Sequence, residues 1–321
     1  MVIYFAPLEG VTDVVFRQVH HECFSGVDKY FIPFISPTQH LSFTSRELEA
    51  VSPEKNAGMN AIPQILTKNP EHFLWMANSL ADAGYREINI NIGCPSGTVT
   101  AKGKGSGMLK DPDGLKLFMD EVFAKSPIAV SVKTRIGFES VDEWPRLLKI
   151  YADYPVKELI VHPRTRKEFY SGKAHREMCE PVLNETNLPM VYNGDLFTVN
   201  DCREYERTYP GAIALMLGRG LVANPALAQE IKGGERITRA ALRRFHDKLY
   251  QQYAEIWPKN ALIGHMHETM KYIMCCFEDP AKPRKAMRKA TKQEDYLAAV
   301  DWLFDEFPLK ETPAFLSDTK L

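Results

Sequence analysis

The stretch EININIGCPSGTVTAKGKGSGMLKDPDGLKLFMDEVF, from Glu87 to Phe123, decides the fold. Its opening, EININ (87–91), reads as a short buried strand. Asp111 and Pro112 then supply a favourable N-cap and first-turn pair for a helix over 111–123. A second strand, IAVSVK (128–133), follows at once, so the segment is one strand–helix–strand unit of a parallel sheet. Between strand and helix lie Cys94-Pro95 and a loop with glycines at 93, 97, 103, 105 and 107 and lysines at 102 and 104. A cysteine placed where a buried strand meets such a loop needs an explanation.

The unit repeats along the chain. Further strands are expected at 3–6, 29–32, 61–65, 158–162, 190–193 and 212–217, which brings the total to eight. Between most of them run helix-like stretches such as NPEHFLWMANSLADAG (69–84), with apolar residues at helical spacing and a closing glycine. Near-continuous apolar strands alternating with helices indicate a parallel sheet buried on both faces. Eight such units in roughly 230 residues fit a (β/α)8 barrel. An open doubly wound sheet is disfavoured because no G-x-G-x-x-G follows the first strand. Beyond the Gly233-Gly234 break, residues 236–257, 261–277 and 295–307 are helical by period. The expected division is a barrel over 1–232 and a small all-helical domain over 233–321.

Of the 321 residues, 45% are hydrophobic and the net charge is −1, which argues against a strongly basic, non-specific nucleic-acid binder. The start, MVIYFAPLEG, has no signal-peptide pattern, and no apolar run approaches the roughly 20 residues of a membrane span. Six cysteines without C-x-x-C spacing fit free thiols in a reducing cytoplasm. His265 and His267 stand two apart on a helix, which turns them away from one another, and no metal is expected.

Active sites of such barrels lie at the C-terminal ends of the strands. Polar residues collect there: Pro7-Leu8-Glu9, Gln64, Asn91 ahead of Cys94, Lys133 with Arg135 just beyond, and His162 with Arg164 following. The last two strands lead into Asn193-Gly194-Asp195 and Gly218-Arg219-Gly220. Glycine turns after strands 7 and 8 are where such barrels hold phosphate, through backbone N–H groups and an arginine.

Taken together, PLEGVTD (7–13), NIGCPS..V..KGKGSGML (91–109), SVKTRIG (131–137), VHPRTRKEFYSGKA (161–174), YNGDL (192–196) and LGRGLVANP (217–225) resemble the tRNA-dihydrouridine synthases. The resemblance spans roughly residues 1–230 in motif order. It implies an FMN-binding barrel with a helical RNA-binding domain, reducing the 5,6 double bond of specific uridines in tRNA with NADPH. Ribosomal RNA is a second candidate substrate, no stable protein partner is implied, and the setting is cytoplasmic.

The same resemblance implies that Pro7, Leu8, Glu9, Gln64, Lys133, His162, Asn193, Gly194, Asp195, Gly218 and Arg219 hold FMN, with Lys133 facing the N1/O2 edge. Asn91 and Arg135 match residues implied to meet the target uridine or the flavin near it, Cys94 would be the catalytic acid, and the basic Lys102, Arg164 and Arg166, on the same expected face, would hold RNA phosphates. A thiol, with a pKa of about 8.5, stays mostly protonated at neutral pH and can give a proton to C5. The glycine-rich loop beside it would be mobile, admitting an extruded base. Basic residues follow strands 4 and 6, and KPRKAMRKATK (282–292) carries six more without an acid. His175-Arg176 departs from the acid and tryptophan usual after YSGKA, and Ala226-Leu227 from the aromatic usual after NP. Two rivals remain: a dihydroorotate-dehydrogenase-like FMN barrel acting on a free pyrimidine, and a non-catalytic RNA-binding barrel.

Overall fold

The computed structural model describes residues 1–38 and 40–315. Eight parallel strands close into a barrel in sequence order: β1 (Ile3–Phe5), β2 (Lys29–Ile35), β3 (Ala61–Ile65), β4 (Glu87–Ile92), β5 (Ala129–Gly137), β6 (Leu159–Thr165), β7 (Met190–Asn193) and β8 (Ala214–Leu217). The (β/α)8 expectation holds. Three strands, β2, β5 and β6, run further than their apolar cores suggested, so that Arg135 lies within β5 and Arg164 within β6. The helix over Pro112–Lys125 starts as read, with the Asp111 carboxylate accepting the Gly114 N–H at 3.0 Å.

Prolines set the irregularities of the ladder. The register slips between Ile32 and Ile35 of β2, around Pro33, and where His162 and Thr165 of β6 flank Pro163. The strands carrying Pro33 and Pro163 each have one residue more than the partner across the slip. A proline has no N–H to give the ladder, so the extra residue forms a bulge there. The second bulge re-aims the end of β6, where the expected site lies.

Strand alternation sorts the side chains. Ile88, Ile90 and Ile92 of β4 are fully buried, while Glu87, Asn89 and Asn91 share the opposite face. That face is the barrel interior: the Tyr4 hydroxyl on β1 donates to Glu158, just ahead of β6, at 2.8 Å, a contact that crosses the barrel. Interiors of this fold are mostly filled by branched apolar residues. Here β4 and β5 fill theirs with polar ones, joined by Gln64 of β3 and His162 of β6. At the foot, the Lys29 ammonium bridges Glu87 at 2.9 Å and Glu158 at 2.7 Å. The second oxygen of each carboxylate is buried with no hydrogen-bond partner among the described residues.

The chain forms two compact units, each discontinuous in sequence. One holds residues 1–7, 28–195 and 205–216, and the other residues 8–27, 196–204 and 217–321. In the second, the helix Val14–Cys23 packs on the helix Arg239–Ile256. Phe245 meets Phe16 edge-on at 5.6 Å and Phe24 at 5.4 Å. Burial pushes the His20 pKa down to about 3, so the ring is neutral, with Nε2 2.9 Å from the Pro225 carbonyl. No described helix is long and apolar enough to cross a membrane.

Lys29→Met would leave two buried carboxylates facing each other without their cation. It should cost about 3–5 kcal/mol of stability in urea unfolding; a loss within about 0.5 kcal/mol would mean the foot of the barrel is not held by this pair.

Candidate active site

The residues expected on β4 and β5 come together through register. Asn91 lies opposite Lys133, and Arg135 lies opposite His162. Asn91 accepts the backbone N–H groups of Gly93 at 3.1 Å and Cys94 at 2.9 Å through Oδ1, and donates to Gln64 at 2.7 Å. Its side chain therefore fixes the turn that carries the thiol.

The loop after Cys94 differs from its expected mobile form. It winds through a short helix, Gly97–Thr100, and a 3-10 turn, Gly105–Lys110, of which residues 105–109 are buried. The Cys94 carbonyl accepts the Ser106 N–H at 3.1 Å and its hydroxyl at 2.8 Å. Gly105 has φ +57°, and a Cβ there would stand 2.9 Å from the Cys94 carbonyl oxygen. Gly105 thus permits close approach rather than looseness, and the returning chain packs against a half-buried Cys94. On its outer side the loop carries charge. Burial lowers the Lys104 pKa, and the neighbouring charges of Lys102 and Lys68 lower it further.

Lys133 is the most informative group. Its ammonium is half-buried and has no hydrogen bond or ion pair among the described residues. Burial, then the charge of Arg135, push its pKa down to about 7, with the Cys94 thiol acting weakly the other way. An amine so placed gains most from an anion brought beside it.

Arg135 is 1% exposed and stitches two loops together. Nε donates to the Gly93 carbonyl at 2.9 Å, and Nη1 to the Thr165 and Phe169 carbonyls, each at 2.8 Å. The half-exposed Tyr170 ring covers the guanidinium at 5.5 Å. Its Nη2 has no hydrogen bond among the described residues, which leaves two donors for a ligand. Burial pushes its pKa down to about 10, so it stays charged.

Arg164 is placed otherwise. It donates to the Ser171 carbonyl at 3.2 Å, to Gly172, to the His162 ring at 3.1 Å and, through both terminal nitrogens, to Asp195. Those contacts use all five of its N–H groups, leaving none for RNA. Because a guanidinium only donates, His162 Nε2 accepts, and the ring proton sits on Nδ1. Asp195 in turn takes a left-handed φ of +29°. Arg166 lies between Phe169, at 4.9 Å, and Phe138, at 5.3 Å, with Nη2 at 3.4 Å from the Thr100 hydroxyl.

The remaining expected residues are distributed as follows. Pro7 and Leu8 are half-buried and Glu9 is exposed, the Leu8 N–H donating to Thr12 at 2.8 Å. Asn193 donates to the Met216 carbonyl at 2.8 Å, tying β7 to β8. A Cβ on Gly194 would lie 3.0 Å from the Tyr192 hydroxyl. Gly218 precedes the short helix Arg219–Ala223, and the Arg219 guanidinium lies over Phe315 at 5.0 Å and Phe197 at 5.4 Å. The departing His175 bonds to Glu168 at 2.7 Å. Asn89 and Ser131, both fully buried beside Gln64, were not expected; the signal was present in the strict Asn-Ile-Asn alternation of β4.

Two outcomes follow from this geometry. Arg164→Met should cost about 3–5 kcal/mol in unfolding measurements because Asp195 loses its paired cation; unchanged stability with weakened RNA binding would instead make Arg164 a ligand contact. For Lys133, the unfolded chain stays protonated to about 10.4 while the folded chain loses its proton from about 7 upward. Unfolded chains then bind more protons, so between those pH values wild-type protein should gain stability relative to Lys133→Met as pH rises. A flat or falling difference would rule out the depressed amine.

A family model described as dihydrouridine synthase (Dus) matches residues 4–307. A probable tRNA-dihydrouridine synthase of Staphylococcus epidermidis is 32% identical over 265 residues, covering 77% of each chain. The tRNA-dihydrouridine synthase B of Pasteurella multocida is 29% identical over 226 residues, covering 70% of this chain and 67% of that one. Among solved structures, a variant of NCR from Zymomonas mobilis superposes with a TM-score of 0.52 at 15% identity, over 74% of this chain and 88% of the other. Morphinone reductase does so with 0.50 at 12%, over 74% and 87%. These two likenesses are of fold alone. On the breadth of the family match and the identity to its relatives, the chain belongs to the dihydrouridine synthase family and is an oxidoreductase.

Proposed function

We propose that this enzyme reduces the 5,6 double bond of specific uridines in tRNA to dihydrouridine, with FMN as its cofactor and NADPH as reductant. The observation that carries the reading is the half-buried Lys133 ammonium, without a partner among the described residues, on the strand beside the one that leads to the Cys94 turn.

The residues fit a flavin. Lys133 offers an uncompensated cation to the N1/O2 edge, where a reduced ring bears negative charge. Gln64 and His162 stand on the same interior face, and Asn193-Gly194-Asp195 with Gly218-Arg219 are assigned the phosphate by motif order. Bound FMN would supply the hydride that uracil C6 receives.

The chain's own groups do the rest. Cys94 holds the proton for C5, its backbone fixed by Asn91. Arg135 keeps its Nη2 donors for the substrate while its other nitrogens fix the walls of the pocket. Lys68, Lys102 and Lys104 set positive charge around the mouth of the loop, which favours a polyanion over a free pyrimidine. The 233–321 segment is assigned to RNA. Its helix Ala281–Lys289 buries Pro283 and Met287 and exposes Lys282, Lys285, Arg288 and Lys289. Free cysteines throughout the described residues suit a cytoplasmic setting.

The direct test incubates purified protein with FMN, NADPH and unmodified total RNA, then examines nucleosides from separated tRNA and rRNA by mass spectrometry. Dihydrouridine in the tRNA fraction, dependent on NADPH, is expected; turnover of free orotate without an RNA product would favour the free-pyrimidine reading. Cys94→Ala should keep FMN and its reduction by NADPH while uridine reduction falls about 10²- to 10⁴-fold. Full activity in that variant removes Cys94 from the chemistry.

A further inference from the structure

The interior of the barrel beneath Cys94 contains a hydrogen-bond chain with only one possible direction. At its lower end the Ser131 hydroxyl donates to the Ile88 carbonyl at 3.3 Å, a group that can only accept. Its oxygen is then left to accept Asn89 Nδ2, at 2.9 Å. That turns Asn89 Oδ1 toward Gln64 Nε2, at 2.8 Å, and Gln64 Oε1 toward Asn91 Nδ2, at 2.7 Å. The last amide must therefore present its oxygen to the backbone, where the N–H groups of Gly93 and Cys94 can only donate. Both ends demand the same polarity, so no amide in the chain can flip without breaking two bonds.

Ser131, Asn89 and Gln64 are fully buried and Asn91 is 7% exposed, so water cannot substitute for a missing partner. We propose that Ser131 and Asn89 are positioning residues for Cys94, acting through Gln64 and Asn91 to hold the turn that presents the thiol. Neither side chain reaches the thiol itself, and each would influence the reaction only through the placement of the turn. The inference rests on the reading of Cys94 as the reacting group.

The test compares Asn89→Leu with Asn89→Asp. Leucine has similar bulk and breaks the chain on both sides. Aspartate keeps it, since complete burial holds its carboxyl neutral, so that its hydroxyl donates to Ser131 and its carbonyl oxygen accepts from Gln64 as the amide did. Two readouts are taken: the rate and pH profile of Cys94 alkylation by iodoacetamide, and the single-turnover rate of uridine reduction on tRNA. Asn89→Leu should alter the alkylation profile and lower the single-turnover rate about 10- to 100-fold, with the KM for tRNA little changed. Asn89→Asp should lie near wild type in both.

An unchanged alkylation profile in the folded Asn89→Leu protein would overturn the proposal, as would equal impairment of the two variants. Alkylation requires neither RNA nor NADPH, so wild-type protein that fails to reduce tRNA would sink the functional reading while leaving the positioning chain testable. Should Asn89→Leu not fold, Ser131→Ala removes the lower anchor alone: a shifted alkylation profile supports the proposal and an unshifted one overturns it.

Discussion

Burial without solvent is the constraint on which the rest of this structure depends. Strand alternation turns Glu87, Asn89 and Asn91 of β4, with Ser131, Lys133 and Arg135 of β5, into the barrel interior. An apolar filling would be cheaper there, because each buried polar group must find a partner or lose its full hydration. The partners are graded along the strands. Ion pairs from Lys29 close the foot, a chain of amides fills the middle, and at the top a lysine and one end of an arginine have no partner among the described residues. A barrel whose lysine below is paired with carboxylates, and whose lysine above has no such partner among the described residues, is built to complete itself with an anionic ligand at that end.

The same constraint accounts for the loop after β4. Placing a thiol at the rim requires that its turn be held without crowding it. Asn91 holds the turn from inside the barrel and Ser106 from outside, while Gly105 lets the returning chain pass within contact of Cys94. Rigid support of a reacting group restricts its motion before the reaction begins, and so saves the entropy that a loose side chain would lose. Composition alone suggested the opposite, since five glycines in a short loop read as freedom; at Gly105 and Gly107 a Cβ would stand 2.9 Å from backbone oxygens, which shows close packing.

How much could be read from the chain follows from the range of the interactions involved. The barrel was legible because strand alternation and helix starts such as Asp111-Pro112 are local signals repeated eight times. Cys94, Lys133 and Arg135 stood out because a polar residue near the end of an apolar strand is conspicuous. Arg164 was read as an RNA contact because its strand appeared to end at His162. Only the bulge at Pro163 and the pairing with Asp195, thirty-one residues away, give it an internal role. Asn89 and Ser131 went unread for a related reason: alternation places Asn89 on the interior face, but the partner each meets there is set by the register between strands, which no sequence spacing displays.

The central physical claim is that the polar interior ends in a cation awaiting an anion, and it can be measured at a single atom. Nuclear magnetic resonance of the isotopically labelled Lys133 amine, followed from pH 5 to 11 with and without FMN, tests it most directly. The expected result is a flavin-free amine titrating near 7, in keeping with its burial, and raised once the cofactor is bound. An amine titrating near the ordinary lysine value of about 10.4 and unmoved by FMN would contradict it.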